Sequence, residues 1–252
     1  MNSERAPLRL YVEAPLEPGG GFALAPAQAH YATNVMRRGV GDALLLFNGR
    51  DGEWRAWIAA TRRGRSVAVE VEARVRPQAD GPDLWLVFAP VKRVPVDLIA
   101  RTATELGVAA FRPVLTRRTA VARVNLARFH ANAIEAAEQC GRLDVPACLE
   151  PAPLDRLLAD WPAERHPLFC DESGGGAPLA AALADAEPGP WAVIVGPEGG
   201  FAAEETAALA ALPGALRVGL GPRTLRADTA AISALACWQA LVGDWRGGAT
   251  RK

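Results

Sequence analysis

Apolar and polar positions alternate through the first 76 residues, and the pattern changes character near residue 80. LRLYV (8–12), GDALLLFNGRDGEWRAWIAA (41–60) and SVAVEVEARV (66–75) read as short strands joined by glycine-bearing turns. In the third stretch Val67, Val69 and Val71 alternate with polar or small neighbours, which is the period of a half-buried strand. NGRDG (48–52) is turn chemistry between two strands. Together these segments predict a small β-barrel or sandwich. Within PAQAHYATNVMRRGVGD (26–42), Ala29, Ala32, Val35 and Met36 recur at helical spacing and Gly39 supplies a stop, so one short helix is expected there. RPQADGPD (76–83) combines Pro, Gly and Asp as a linker does, which sets a domain boundary near Ala79: 1–78 and 79–252.

Beyond the linker, strands alternate with helices. DLWLVFAP (83–90) is a near-continuous apolar run suited to a strand buried on both faces, VPVDLIARTATELG (94–107) is helical and ends at Gly107, and VAAFRPVLT (108–116) is the next strand. NLARFHANAIEAAEQCG (125–141), AAEETAALAAL (202–212) and ADTAAISALACWQAL (227–241) read as helices. HPLFCDE (166–172), WAVIVGPEGG (191–200) and ALRVGLG (215–221) read as strands, the last two running into turns. The alternation predicts an α/β fold with a parallel sheet and helices on both sides.

Composition narrows the class. Half the residues are hydrophobic and 22% are charged, as in a globular chain able to bury a core, and 252 residues accommodate two domains. MNSERAPLRLYVEAP at the N-terminus has no apolar stretch of signal-peptide length, and no segment reaches the roughly 18 apolar residues of a membrane span. A cytoplasmic protein without a membrane partner is expected. The four cysteines (Cys140, Cys148, Cys170, Cys237) show no metal-ligand spacing and are read as reduced thiols, with no metal site. His30, His130 and His166 have no catalytic partner pattern.

Lysines and arginines equal aspartates and glutamates at 28 each, yet they are segregated. Lys92 to Arg128 holds eight basic against two acidic residues, and His130 to Pro222 holds four basic against fourteen acidic. Such segregation could give the protein one positive face for a polyanion, or only a solvated helix and loop surface.

The segments with chemical content lie in the last third. WAVIVGPEGGF (191–201) is a buried-looking strand ending in glycines, which let a ligand approach the backbone without a Cβ in the way. Ligands of open α/β sheets bind at the carboxyl ends of the strands. VGLGPRTLRADTA (218–230) repeats the arrangement with Gly219 and Gly221, and HPLFCDE offers a third wall. Neither G-x-x-x-x-G-K-[ST] nor a dinucleotide G-x-G-x-x-G motif is present, which disfavours phosphate-bearing cofactors. Backbone polar groups beside Leu220 and Leu225 suit an adenine ring and a thioether chain.

GPEGGF (196–201), LGPRTLRADTA (220–230), EAAEQCGR (135–142) and KRVPVDLIARTATELGV (92–108) together resemble the ribosomal RNA small-subunit methyltransferase E family of the SPOUT superfamily, and HYATNVMRRGVGD (30–42) is similar to a segment of the family's N-terminal domain. The resemblance covers nearly the whole chain. It implies an α/β trefoil-knotted SPOUT methyltransferase domain (79–252) behind an N-terminal PUA-like β-barrel that binds RNA (1–78). It further implies a homodimer that transfers methyl from S-adenosyl-L-methionine to ring nitrogen 3 of a uridine in 16S ribosomal RNA, with the RNA expected inside an assembled 30S particle. The implied cofactor walls are Leu168, Phe169 and Cys170; Gly196, Glu198 and Gly200; and Leu220, Arg223, Thr224 and Leu225. Three residues depart from the family pattern: Ala202 replaces a helix-capping serine, and Cys140 and Asp228 stand where Ser and Glu are expected. The lost cap costs about 1 kcal/mol unless another group substitutes.

Uridine nitrogen 3 bears a proton and is a poor nucleophile until that proton leaves. Arg226, just after the third wall, is the candidate to stabilise the resulting anion, and Glu198 could accept the proton or merely face a helix dipole. Gln139 and Arg142 could meet the substrate or form a hydrogen-bonded pair between subunits. Arg9, Arg37, Arg38, Arg93, Arg117 and Arg118 are expected to meet RNA phosphates. Two competing readings remain: a knotted methyltransferase acting on another RNA, and an inactive RNA-binding assembly factor. Intact wall glycines argue against the second.

Overall fold

The computed structural model describes residues 6–62, 66–90, 96–120 and 123–247. The chain divides into two compact units, one formed by residues 1–80 with 137–145 and the other by 81–136 with 146–252.

In the first unit, β1 (Leu8–Tyr11), β2 (Gly21–Ala23), β3 (Ala43–Phe47), β4 (Glu53–Arg62) and β5 (Ser66–Arg76) form one sheet in the order β1-β3-β4-β5-β2. β1 runs parallel to β3 and the remaining pairs are antiparallel. The predicted alternation in β5 places Val67, Val69 and Val71 in a core with Leu10, Leu44, Leu46, Ala56 and Ile58. The expected helix is split. Helix α1 (Pro26–His30) starts with proline at its first turn and passes into a π-helical turn, Tyr31–Val35, in which Met36 N–H bonds to the Tyr31 carbonyl. The chain reverses at Arg37, whose φ is +54°, so the helix stops two residues before the expected Gly39.

Arg9 was expected on the surface. Its Nε instead donates to Glu53 at 2.5 Å, and its terminal nitrogens donate to the carbonyls of Ala137, Glu138 and Arg142. Arg76 also donates to Glu53, at 2.8 Å, and to the carbonyl of Gly141. Two strand arginines thus hydrogen-bond to carbonyls at the end of a helix, where most carbonyls lack intrahelical partners. Burial alone would raise the Glu53 carboxyl, but the hydrogen bonds from Arg76 and Arg9 outweigh it and hold it below the usual range.

The second unit is α/β. β6 (Leu84–Phe88), α2 (Val96–Glu105), β7 (Ala110–Leu115), α3 (Leu126–Cys140), β8 (Ala147–Cys148), β9 (Ala152–Pro153), α4 (Leu154–Ala159), β10 (His166–Cys170), β11 (Ala177–Pro178), α5 (Leu179–Ala182), β12 (Trp191–Val195), α6 (Ala203–Ala210), β13 (Leu216–Gly219) and α7 (Ala227–Leu241) follow in that order. Within the fold, α3 ends in residues that belong to the first unit. The sheet order is β11-β13-β10-β12-β6-β7-β8, with β9 beside β7, and every pair is parallel. β12 is buried along its whole length. Ala192 and Ile194 pack against Leu154 and Leu157 of α4 and Leu209 of α6, while Trp191 meets Trp238 of α7 with ring centroids 6.4 Å apart. Helices therefore cover both faces, as the alternating pattern predicts.

Candidate active site

β13, β10 and β12 are neighbours in the sheet and point the same way, so their carboxyl ends open at one edge. A cleft of about 260 Å³ lies there, lined by the chain leaving each strand: 170–174 after β10, 195–198 after β12 and 219–225 after β13. Ala227 and Ala230 of α7 close it from below. Its surface joins apolar side chains to turn backbone, three carboxylate residues (Asp171, Glu172 and Glu198) and one cation, Arg223.

The first wall is fastened to β13. Arg217 Nε donates to the Asp171 carboxylate at 2.9 Å, and that carboxylate also accepts from the Ser173 hydroxyl and the amides of Ser173 and Gly175. Burial would raise the Asp171 carboxyl; the bonds from Ser173 and Arg217 prevail and hold it below the usual range. A Cβ at Gly176 would fall 2.5 Å from the carbonyl carbon of Val218 and 2.7 Å from the amide nitrogen of Gly219. Gly200 has φ +69°, which favours glycine, and the Glu172 carboxylate from the turn after β10 occupies the place its Cβ would take.

A sequence profile described as an RNA methyltransferase domain matches residues 79–239, and one described as an RNA methyltransferase PUA domain matches 24–72. Ribosomal RNA small subunit methyltransferase E of Rickettsia conorii is 31% identical over 90% of this chain and 93% of its own. The chain belongs to the ribosomal RNA small subunit methyltransferase E family. The Synechocystis member is 34% identical over 87% of this chain and 73% of its own. Among solved structures, the Neisseria gonorrhoeae member bound to S-adenosyl methionine superposes with a TM-score of 0.83 at 27% identity, covering 95% of this chain and 99% of its own. A Legionella pneumophila methyltransferase in complex with the same cofactor gives 0.84 at 30% identity, covering 95% and 100%.

In this family member Cys170, Gly196, Glu198, Leu220, Arg223, Thr224 and Leu225 line the cleft. Leu168 and Phe169 do not. Both are fully buried in β10, and Phe169 packs with Ile194 and Leu209, because they precede the point where the strand leaves the sheet. Gly200 stands behind the wall against Glu172, and does not line the cleft. Burial pushes the Cys170 thiol up to about 12, so it serves as wall and not as thiolate. Arg226 is exposed at the N-cap position of α7, between the lining residues Leu225 and Ala227, and its side chain has no hydrogen-bond or ion-pair partner among the described residues.

The arginines expected on RNA divide. Arg9 is taken up by Glu53 and helix carbonyls with a side chain only 12% exposed, and Arg142, equally buried, is paired with Asp144 at 2.7 Å, so neither is presented to a phosphate. Arg38 is half-buried and donates to the Ala6 carbonyl, whereas Arg37 is exposed. Arg117 pairs with Glu204 at 3.3 Å on the surface, and Arg118 donates to the Gly199 carbonyl at 2.6 Å, which ties it to the turn after β12. Gln139 is exposed on the last turn of α3, and Arg93 lies outside the described residues. The expected loss of a cap at Ala202 is made good in part: Ala202 has no side-chain oxygen, but the Glu205 carboxylate accepts from its N–H at 2.8 Å, one half of a capping box.

The residues that sequence reasoning missed are Asp171, Glu172, Ser173 and Arg217. For the first three the signal was an acidic pair followed by Ser-Gly-Gly-Gly straight after a strand, whereas Arg217 had none.

Proposed function

We propose that this protein binds S-adenosylmethionine in the cleft at the ends of β10, β12 and β13 and methylates ring nitrogen 3 of a uridine in small-subunit ribosomal RNA. The observation that carries the reading is the convergence of three glycine-bearing strand ends on one cleft that joins apolar side chains to carboxylates and turn backbone. That donor set suits the group: Leu220, Leu225 and Ala230 offer an apolar slot for adenine, Glu172 and Glu198 suit hydroxyl, ammonium or sulfonium groups, and Arg223 suits a carboxylate. When bound, S-adenosylmethionine supplies an electrophilic methyl group.

The chain's own residues then have two tasks. The proton on uridine nitrogen 3 must leave, and Glu198 is the carboxylate at the cleft that could accept it. The negative charge left on the base spreads over two carbonyl oxygens, and the unpartnered side chain of Arg226 at the rim can donate charge-assisted hydrogen bonds to them. Holding the base in line with the methyl can itself lower the barrier by roughly 7–11 kcal/mol.

The wider arrangement follows the family. Residues 1–78, completed by 137–145, form the PUA-like barrel that binds RNA, with Arg37, Arg93, Arg117 and Arg118 near phosphates and Gln139 approaching the substrate, and the rest of 79–252 forms the knotted SPOUT domain, α7 passing through the loop that makes the knot. α7 carries a single charged residue, Asp228, and leaves Thr229, Cys237 and Ala240 exposed, which supports a homodimer packed through that uncharged face. Among the described residues no helix is long and apolar enough to cross a membrane, in keeping with a cytoplasmic enzyme working on the assembled 30S particle.

Two measurements test the reading. Isothermal calorimetry should detect S-adenosylmethionine binding, and mass spectrometry should find 3-methyluridine missing from the small-subunit RNA of a strain lacking the gene. Undiminished 3-methyluridine would refute the substrate. Arg226→Ala should keep cofactor affinity within a few-fold and lower turnover by about 10²-fold or more, the usual loss on removing one charge-stabilising donor.

A further inference from the structure

The helix that follows β2 ends in an unusual way. Its last turn is π-helical, and Arg38 N–H closes back on the Ala32 carbonyl at 2.8 Å. Arg37 thereby takes the left-handed position that glycine ordinarily fills at a helix C-terminus. Among the described residues it is the only non-glycine with positive φ. Gly39 and Gly41 stand close by in the sequence, so the chain has placed an arginine where glycine would be easier. A non-glycine held in this region is a strained position, of the kind that clusters at functional sites.

The surroundings say what this one is suited to. Tyr31, Val35 and Val40 are 40%, 57% and 64% exposed, a group of large apolar side chains left open to solvent. Tyr31 and Val35, four residues apart on one helical turn, share a face. No acidic residue occurs from Pro18 to Gly41. The nearest that follows, Asp42, is occupied by the Gly39 amide at 2.8 Å. Arg37 is exposed and has no hydrogen-bond or ion-pair partner among the described residues. An exposed aromatic ring and an exposed cation whose side chain is unpaired among the described residues, within one ten-residue corner that holds no acidic residue of its own, are complementary to a polyanion that also has flat apolar faces, which describes unpaired RNA.

We infer that the corner Tyr31–Val40 grips an unpaired stretch of the substrate RNA, with Tyr31 stacking on a base and Arg37 meeting a phosphate. This rests on the reading above that the substrate is RNA. It goes beyond that reading in naming a contact that selects single-stranded structure, where phosphate contacts alone would not.

The test is filter binding of extracted small-subunit ribosomal RNA, without S-adenosylmethionine, across a salt series for wild type, Arg37→Gly, Arg37→Lys and Tyr31→Ala. Thermal melting is followed in parallel. Arg37→Gly should melt at the same temperature or a few degrees higher, because the strain is relieved, yet bind RNA several-fold more weakly with a salt slope smaller by about one. Arg37→Lys should keep the slope. Tyr31→Ala should weaken binding by about ten-fold with the slope unchanged. Unchanged RNA affinity in Arg37→Gly or in Tyr31→Ala overturns the proposal. So does a change of oligomeric state on sedimentation in place of weaker RNA binding, which would make the corner a contact between copies. Wild type that binds no RNA overturns both this proposal and the RNA reading. Wild type that binds RNA equally to Arg37→Gly overturns the corner alone.

Discussion

Gly176→Ala should open the candidate cofactor cleft from a position that does not itself line it. The added methyl would lie 2.5, 2.7 and 2.8 Å from the Val218 carbonyl carbon, the Gly219 nitrogen and the Val218 Cα. Carbon atoms pack comfortably at about 3.5 Å, so the segment must retreat by roughly 1 Å. All three obstacles are backbone atoms of a strand in the middle of a ladder, and no side-chain rotation can relieve them. Ala177 and Pro178 pair with Val218 and Gly219, so the retreat breaks β11 from β13 and takes the first wall, 170–174, with it. Overpacking of this kind costs about 1–3 kcal/mol. For a chain of this size each kcal/mol lowers the melting temperature by roughly 2–4 °C. If the wall can be restored only by repaying that energy, S-adenosylmethionine should bind about 10-fold to 100-fold more weakly. Gly219→Ala is the control, because its Cβ would meet nothing closer than 3.6 Å and its φ is not positive, so the melting temperature without ligand should barely move. The assay is calorimetric titration with differential scanning of both variants. Wild-type affinity and stability in Gly176→Ala would refute the close approach of β11 to β13.

Glu53→Gln should destabilise the first unit by about 3 kcal/mol at neutral pH, since it strips the buried Arg9 of its carboxylate, and chemical denaturation would measure the loss. Glu53 and Asp171 are both held below the ordinary carboxylate range, so the stability they contribute is fully present above about pH 4.3 and disappears as pH falls through their lower folded values. The gap between wild type and Glu53→Gln should accordingly narrow when melting is followed from pH 6 to pH 2, and a constant gap would contradict the ion pair. Iodoacetamide at pH 8 followed by peptide mass mapping should label Cys237 first in the dissociated chain, and only slowly where the α7 face is covered by a second copy. Cys170, raised to about 12 by burial, and Cys148, raised to about 11, should react only on unfolding.

The long strands and helices were legible because their hydrophobic period is set locally. Val67, Val69 and Val71 face one core, and Trp191–Val195 is apolar throughout because helices cover both of its faces. The cleft was legible for a related reason: glycines straight after apolar strands mark where backbone must be approached. What escaped was decided by distant chain. Arg9 sits between apolar neighbours in β1, a pattern that places it on an outward face, yet residues 128 to 133 positions later fill that face with helix carbonyls. Arg217 gave no signal because its partner Asp171 is 46 residues away. β11 is two residues long and exists through its pairing with β13, and α4 and α5 are too short to display a period. The strain at Arg37 could not be read from the sequence, since Gly39 offered itself as the stop.

The first unit is not a continuous stretch of chain. Phe47 packs on Ala137 and Leu143, and Arg9 and Arg76 hold the carbonyls of residues 137–142, so a piece of chain that arrives nearly sixty residues after the linker completes its fold. Such a unit cannot be exchanged between proteins as a cassette by recombination at the linker. A gene fragment ending at residue 80 would encode a sheet with Phe47 uncovered and a buried ion cluster without its acceptors. Transplanting it requires the 137–145 segment as well, supplied in the same chain or as a separate peptide.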